Sequence, residues 1–143
     1  MSKWLPLTAI PLFLGSLCLA PCLPHDVHLI SVERRYRAIA HPPDSRSLAR
    51  ESDLGLLEGN GNHCDYFVGE LRATHLTRAE LEKFYGAHTE IEVLEQRVVP
   101  PYVSSPRDRL QLVAARASPA PGELLYIVFV FDQEAAGEDI RCH

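Results

Sequence analysis

Two cysteines in this 143-residue chain each have a histidine as a direct neighbour. Cys64 lies between His63 and Asp65, and Cys142 precedes His143 at the end of the sequence. Thiolate, imidazole and carboxylate groups all bind zinc, and a cysteine assisted by a histidine can act as a nucleophile. Two cysteines can also form a disulfide. The candidate chemistry is therefore a metal site, a catalytic thiol or a covalent cross-link.

The spacing of these residues disfavours a zinc site and selects no catalytic pair. Adjacent side chains in a strand point to opposite faces, so His63 and Cys64 are poorly placed to chelate one ion. The same geometry separates Cys142 from His143, whereas zinc motifs usually leave two or more residues between ligands. Any of the seven histidines could serve as a base for Cys64. We therefore expect no metal ion or other cofactor and assign no catalytic residue.

The first 24 residues have the composition of a secretory signal, with one early lysine and then an uncharged stretch. The apolar part, residues 4–20, is short for a membrane span and contains Pro6 and Pro11, which disfavour a stable helix. We expect residues 1–24 to direct export and residues 25–143 to form one small domain. An uncleaved leader that anchors the chain in the membrane is the alternative.

Residues 19–22, LAPC, resemble a bacterial lipobox in which Cys22 is the lipidated residue. Pro21 departs from that pattern, because a small residue is expected at its position. Lipidation of Cys22 is therefore an alternative to simple cleavage. We expect contact with a membrane only through such a lipid or through an uncleaved leader.

Export decides between the possible fates of the two late cysteines. In an oxidising compartment, two cysteines of a mature domain most often pair. A Cys64–Cys142 bridge would close a loop over most of the domain, which removes about 4–5 kcal/mol of chain entropy from the unfolded state. That is comparable with the net stability of a small domain. We expect this disulfide, and the neighbouring histidines then need no chemical role.

An arginine cluster is a candidate anion-binding site. Arg34, Arg35 and Arg37 surround Tyr36 and could bind a carboxylate, a phosphate or a lipid head group. The alternative is a strand whose exposed arginines pair with acidic residues across the sheet, namely Glu90, Glu92 or Glu95. A second charged segment, residues 131–139, could bind calcium, but its spacing does not match an EF-hand loop and favours a solvated loop.

The composition is that of a globular domain, with 46% hydrophobic and 23% charged residues. The net charge of −5 opposes binding to phosphates, so nucleic acid is not an expected partner.

The hydrophobic pattern predicts an α+β fold with a mainly antiparallel sheet of about five to six strands and one principal helix packed on one face. Thr77 and Glu80 form a capping box that begins this helix over residues 77–86, and Gly86 ends it. A short helical turn is expected over residues 46–51. The predicted strands are residues 26–40, 54–59, 62–71, 90–99, 109–117 and 123–131, with a tight Asn60-Gly61 turn joining the second and third. Because one helix cannot cover both faces, we expect the second face to be partly solvated, closed by curling or buried against a partner.

These features favour an exported binding or accessory domain, stabilised by the Cys64–Cys142 disulfide, for a ligand that the sequence does not identify. The expected partner is another envelope or extracellular protein, which would contact the uncovered face or edge of the sheet. The alternative is an extracytoplasmic enzyme, or a metal- or redox-active protein, that uses Cys64 with a histidine.

Overall fold

The computed structural model describes residues 22–58, 61–86, 89–94 and 99–143. Along the chain it contains helix α1 (Leu23–Arg37), strands β1 (Arg46–Gly55) and β2 (His63–Thr74), helix α2 (Arg78–Tyr85), strand β3 (Glu90–Val93), helix α3 (Pro106–Arg116), strand β4 (Leu124–Ala135) and a short 3₁₀ helix (Ile140–Cys142). The strands form one antiparallel sheet in the order β1-β2-β4-β3. The α+β class and the antiparallel sheet are confirmed. The described residues hold four strands and three α-helices, so the prediction of five to six strands and one principal helix is only partly matched.

Strands β2 and β4 form the centre of the sheet. They pair from His63↔Ala135 to Thr74↔Leu124. Residues 125–129 of β4 are all buried, and they lie within the uninterrupted apolar run at 124–131. A run rich in β-branched and aromatic residues is stable as a strand only when both of its faces are covered. The strand predicted at 123–131 is therefore present, and it lies at the centre of the sheet.

Helices cover both faces of the sheet. Alternate residues of β2 point to opposite sides, so Tyr66 and Phe67 belong to different hydrophobic clusters. The cluster around Tyr66 includes residues of α1 and α2, and the cluster around Phe67 includes Leu110 and Ala114 of α3. The expectation of a solvated, curled or partner-buried second face is wrong, because α3 covers it.

Helix α1 occupies most of the segment predicted as the first strand, residues 26–40. The side chains that face the sheet follow helical spacing, and they are His25, Leu29, Val32 and Tyr36. Pro24 in the first turn is compatible with a helix start, and Asp26 there is stabilised by the helix dipole. The strand prediction relied on a two-residue period that the helical period overrides. Most of the predicted leader, residues 1–21, lies outside the described residues.

Helix α3 replaces the strand predicted at 109–117. Ser105 caps the helix by accepting a hydrogen bond from the Asp108 amide at 3.1 Å, and the Asp108 carboxylate accepts one from the Ser105 amide at 2.9 Å. Pro106 stands in the first turn, where its missing N–H costs nothing. These signals lie between the strands predicted at 90–99 and 109–117, and the helix that they begin was not predicted.

Strand β1 extends through the predicted helical turn at 46–51, which is therefore wrong. It pairs with β2 as expected for a hairpin, and the last pair is Gly55↔Asp65. A tight turn at Asn60-Gly61 would instead place Gly55 opposite Tyr66, so that register is wrong. Residues 59 and 60 lie outside the described residues. The chain leaves the sheet at Gly55, whose φ is +146°, and the Leu56 amide donates to the Arg141 carbonyl at 3.0 Å. A Cβ at Gly55 would lie 2.9 Å from that carbonyl oxygen, so glycine permits this close approach.

Helix α2 confirms the helix predicted at 77–86. The Glu80 amide donates to the Thr77 hydroxyl at 3.4 Å, and the Glu80 carboxylate accepts from the Thr77 amide at 2.8 Å. Gly86 follows the helix with a φ of +66°. Strand β3 is shorter than the predicted strand at 90–99, of which residues 95–98 lie outside the described part. None of the helices in the described residues combines the length and the apolar character needed to cross a membrane.

Candidate functional site

The predicted disulfide is present. Cys64 lies on the face of β2 that packs against α1, and Cys142 ends the 3₁₀ helix. The bond joins residues 78 positions apart with a Cα–Cα distance of 4.7 Å, and both cysteines are fully buried. While this bond exists, Cys64 has no thiolate and cannot act as a nucleophile.

The histidine that lies beside the disulfide is His25, in the first turn of α1. A ring nitrogen of His25 and both sulfur atoms lie within 4.8 Å of one another, and the His25 side chain is buried. Its Nδ1 contacts the Tyr66 hydroxyl, and its Nε2 lies 3.1 Å from the Ala136 carbonyl oxygen. Three elements distant in sequence therefore bring an imidazole and two sulfurs together in the interior.

A chain of polar side chains leads from His25 towards the surface. Burial and, to a smaller extent, the nearby Glu134 raise the pKa of Tyr66 to about 12, so its hydroxyl stays protonated at neutral pH. The His28 ring lies 4.4 Å from the Tyr66 ring, and its nitrogens lie 2.9 Å from Glu134 and 3.2 Å from Asp132. Burial opposes ionisation of Asp132, but hydrogen bonds from Arg35 and His28 outweigh it and lower its pKa.

The C-terminal segment is fixed to the start of α1 by a buried carboxylate. Asp139 accepts a hydrogen bond from the Arg141 amide at 3.0 Å and pairs with the Arg141 guanidinium at 2.6 Å. The hydrogen bond from Arg141 holds the pKa of Asp139 at about 2. Arg141 also pairs with Asp26 at 2.8 Å, and the Cys22 thiol donates to Asp139 at 3.7 Å. These contacts hold Cys142 beside His25.

The other predicted site residues face elsewhere. His63 Nε2 lies 3.1 Å from the Asp65 carboxylate, and by strand alternation both point away from the face that carries Cys64. Asp65 is fully buried and accepts hydrogen bonds from the Leu57 and Glu58 amides at 2.9 and 2.8 Å, which fold the segment after β1. His143 is exposed, with its Nε2 3.2 Å from the Gly137 carbonyl oxygen.

The predicted anion-binding arginines lie in the last turns of α1, so the strand interpretation of this segment is wrong. Arg35 pairs with Asp132, and Arg37 pairs with Glu33 at 2.9 Å. Arg34 is exposed. The acidic partners predicted across the sheet behave differently. Glu92 accepts a hydrogen bond from Gln111 of α3, and Glu90 is exposed. Glu95 lies outside the described residues. Anion binding by the three arginines stays a prediction.

A second polar cluster, partly buried, joins the segment after α1 and helix α2 to the sheet. The Tyr85 hydroxyl lies 2.9 Å from His41 Nδ1 and 3.1 Å from the Tyr126 hydroxyl. Burial raises the pKa of Tyr85 and of Tyr36, while burial and then Arg72 lower the pKa of His41. At neutral pH these groups are therefore uncharged. The cluster works as an internal hydrogen-bond network rather than as an acid–base pair.

Sequence reasoning missed His25, because nothing in its spacing from Cys64 or Cys142 links the three residues. In the sequence, the histidines adjacent to the cysteines were the evident candidates, but strand alternation points the His63 side chain away from Cys64. Comparisons with protein-family models, curated proteins and solved structures find no significant match. The function therefore has to be inferred from the chemistry of the chain itself.

Proposed function

We propose that this chain is an exported binding domain whose contact surface is the solvent-facing side of helix α1. Two large aliphatic side chains on this side carry the proposal: Val27 and Ile30 are 63% and 50% exposed, and Leu23, which belongs to the predicted leader, extends the same row with 59% exposure where it is retained. Their spacing of four and three residues places them in one stripe, opposite the side that packs on the sheet. This is the spacing of anchor residues by which an amphipathic helix enters an apolar groove.

The chemistry of this stripe favours a protein partner over a bilayer. Interfacial helices combine a broad apolar face with a polar face rich in lysine and arginine. The arginines of helix α1 are confined to its last turns, and Arg35 and Arg37 there are paired with carboxylates. The whole chain has a net charge of −5, which opposes approach to anionic lipids. Exposed Arg34 continues the stripe by one turn. The partner expected here is an envelope protein with an apolar groove bordered by a carboxylate.

Two further features support the export part of the proposal. Disulfides form and persist in oxidising compartments, and the Cys64–Cys142 bond is buried in the domain. The leader predicted at residues 1–24 has the pattern of a secretory signal. Helices cover both faces of the sheet, so the contact surface predicted on an uncovered sheet face is proposed on the exposed side of α1 instead. Val27 and Ile30 belong to the predicted mature domain, residues 25–143.

Site-specific photo-crosslinking in the native host tests the contact surface. A photoreactive amino acid at Val27 or Ile30 is expected to give one defined protein adduct, whereas the same group at Val113 of α3 gives none. Val113 is 39% exposed and serves as the matched position. In addition, Val27→Asp should abolish the adduct formed from position 30, and Val113→Asp should leave it unchanged. Both valines are solvent-accessible, so both variants should keep the Tm of the parent protein to within a few degrees.

Three results would count against this proposal. Adducts of equal yield at positions 27 and 113 would show that α1 has no special contact. A lipid adduct in place of a protein adduct would assign the stripe to a bilayer. Fractionation that places the unprocessed chain in the cytoplasm would remove the export part, and mass spectrometry of the mature N-terminus would reveal cleavage or a lipid on Cys22.

A further inference from the structure

We infer that His25, Cys64 and Cys142 form a redox-gated metal site, which is closed as a disulfide when oxidised and binds a soft divalent ion such as Zn²⁺ when reduced. One ligand atom from each residue lies within 4.8 Å of the others, and all three side chains are buried. Two thiolates and an imidazole match the preference of zinc for sulfur and nitrogen ligands. The inference is independent of the contact surface on α1.

The reduced site needs only a local change in geometry. With Zn–S at about 2.3 Å and Zn–N at about 2.0–2.1 Å, tetrahedral ligand atoms lie about 3.5–3.8 Å apart. The two sulfurs must separate after reduction, and the imidazole must stay close to its present place. Cys64 is held by the central strand β2, and His25 is held by the first turn of α1. Cys142 belongs to a three-residue 3₁₀ helix, so the adjustment falls on that short element.

The surroundings of His25 suit a metal ligand. Histidine ligands typically donate their second ring N–H to a backbone carbonyl or a carboxylate, which fixes the tautomer and the ring orientation. The Ala136 carbonyl oxygen lies 3.1 Å from His25 Nε2 and can accept that hydrogen bond. Nδ1 would then be the nitrogen that is left to bind the metal. The Tyr66 hydroxyl, which now contacts Nδ1, would give up that contact and keep Glu134 as its hydrogen-bond partner.

The conversion between the disulfide and the metal-bound state requires no further cofactor. Two electrons and two protons convert the Cys64–Cys142 bond into two thiols, and a cellular dithiol can supply both while it forms its own disulfide. Zn²⁺ then replaces the two thiol protons, which pass to solvent, and both sulfurs bind as thiolates. In the return step a disulfide of suitable potential accepts two electrons from the thiolates and two protons from solvent and becomes two thiols, while the Cys64–Cys142 bond re-forms and the ion is released.

Metal titration of the full chain in its oxidised and reduced states tests the inference. After anaerobic reduction with a water-soluble phosphine, which becomes a phosphine oxide, the wild type should bind one equivalent of Co²⁺ with thiolate charge-transfer absorption. Zn²⁺ should displace the Co²⁺, and the oxidised chain should bind neither ion. His25→Ala should weaken binding by about tenfold or more, as expected for the loss of one ligand. His63→Ala is the matched control, because His63 neighbours Cys64 in sequence but faces away, and it should bind like the wild type.

The metal site can still be tested if reduction unfolds the chain. If the reduced chain unfolds, Zn²⁺ should restore its far-UV circular dichroism, because metal binding supplies folding free energy in such sites. A reduced chain that neither binds Co²⁺ nor refolds with Zn²⁺ overturns the inference. Equal affinity in His25→Ala and His63→Ala does so as well, and so does undiminished binding in a Cys64→Ser/Cys142→Ser variant, which would place the metal on other thiols.

Discussion

At the scale of single residues, strand alternation decides which groups can act together. Cys64 faces His25, whereas its sequence neighbours His63 and Asp65 contact each other on the opposite side of β2. The alternation, and hence the failure of His63 and Cys64 to chelate one ion, follows from the sequence. The approach of His25 does not, because it depends on how α1 packs on the sheet.

The buried carboxylate of Asp139 should make stability depend on acid. Its folded-state pKa is about 2, below the ordinary value of 3.8, because Arg141 donates to it. A depressed pKa stabilises the fold above the unfolded-state value, and this contribution is lost as the pH falls through the folded-state value. We expect the free energy of unfolding, measured by urea denaturation, to fall between about pH 4 and pH 2.

Substitution separates Asp139 from the other carboxylates in this pH range. Asp139→Asn should be less stable at neutral pH and should lose less stability on acidification than the wild type. Glu123, which pairs with Arg46 and also has a pKa of about 2, should supply part of the remaining acid response. Glu138→Gln changes an exposed neighbouring carboxylate and should keep the wild-type profile. An unchanged acid response in Asp139→Asn would contradict the role of this residue.

At the scale of elements, strong local signals predicted structure and short ambiguous runs did not. The Thr77–Glu80 capping box gave α2, and the apolar run at 124–131 gave the central strand β4. Helix α3 has an equivalent capping box at Ser105 and Asp108, but most of the helix was predicted as a strand at 109–117. Short segments in which apolar residues alternate can satisfy both periods, and only packing on a sheet decides between them.

The role of α3 as the cover of the second sheet face gives a prediction at this scale. Leu110 is fully buried in the cluster that contains Phe67 and Ile127. Leu110→Ala should lower the free energy of unfolding by about 2–5 kcal/mol, since it removes buried methyl groups and leaves a cavity. Val113 on the same helix is 39% exposed, so Val113→Ala should cost about 0.5 kcal/mol or less. Chemical denaturation measures both losses, and equal losses would show that α3 does not cover the core as described.

At the scale of the whole molecule, the candidate site exists only because three distant segments meet. The first turn of α1 supplies His25, the central strand supplies Cys64 and the 3₁₀ helix supplies Cys142. The ion pairs of Arg141 with Asp139 and Asp26 hold the same segments together. The sequence predicted the cross-link from the compartment and the number of cysteines, because that inference needs no coordinates. It could not predict the site, because only the assembled fold brings the three segments together.

Removal of the cross-link should therefore act on the whole domain. The bridge spans 78 residues, and the chain-entropy estimate for such a loop is about 4–5 kcal/mol. We expect a Cys64→Ala/Cys142→Ala variant to lose about 2–5 kcal/mol of unfolding free energy in urea under oxidising conditions. In the full chain, Cys22→Ala removes a thiol outside the bridge, together with its 3.7 Å contact to Asp139, and controls for the loss of a cysteine.

A thiol count shows whether the bridge is present in the protein before any variant is compared. Alkylation of the unfolded, non-reduced wild type should modify Cys18 and Cys22 where the leader is retained, while Cys64 and Cys142 stay protected until a reductant is added. Modification of Cys64 and Cys142 without reductant would refute the bridge as the resting state. If Cys64 and Cys142 are protected but the Cys64→Ala/Cys142→Ala variant is as stable as the wild type, the bridge is present and does not stabilise the fold. Native contacts such as the Arg141 pairs would then hold the C-terminal segment without it.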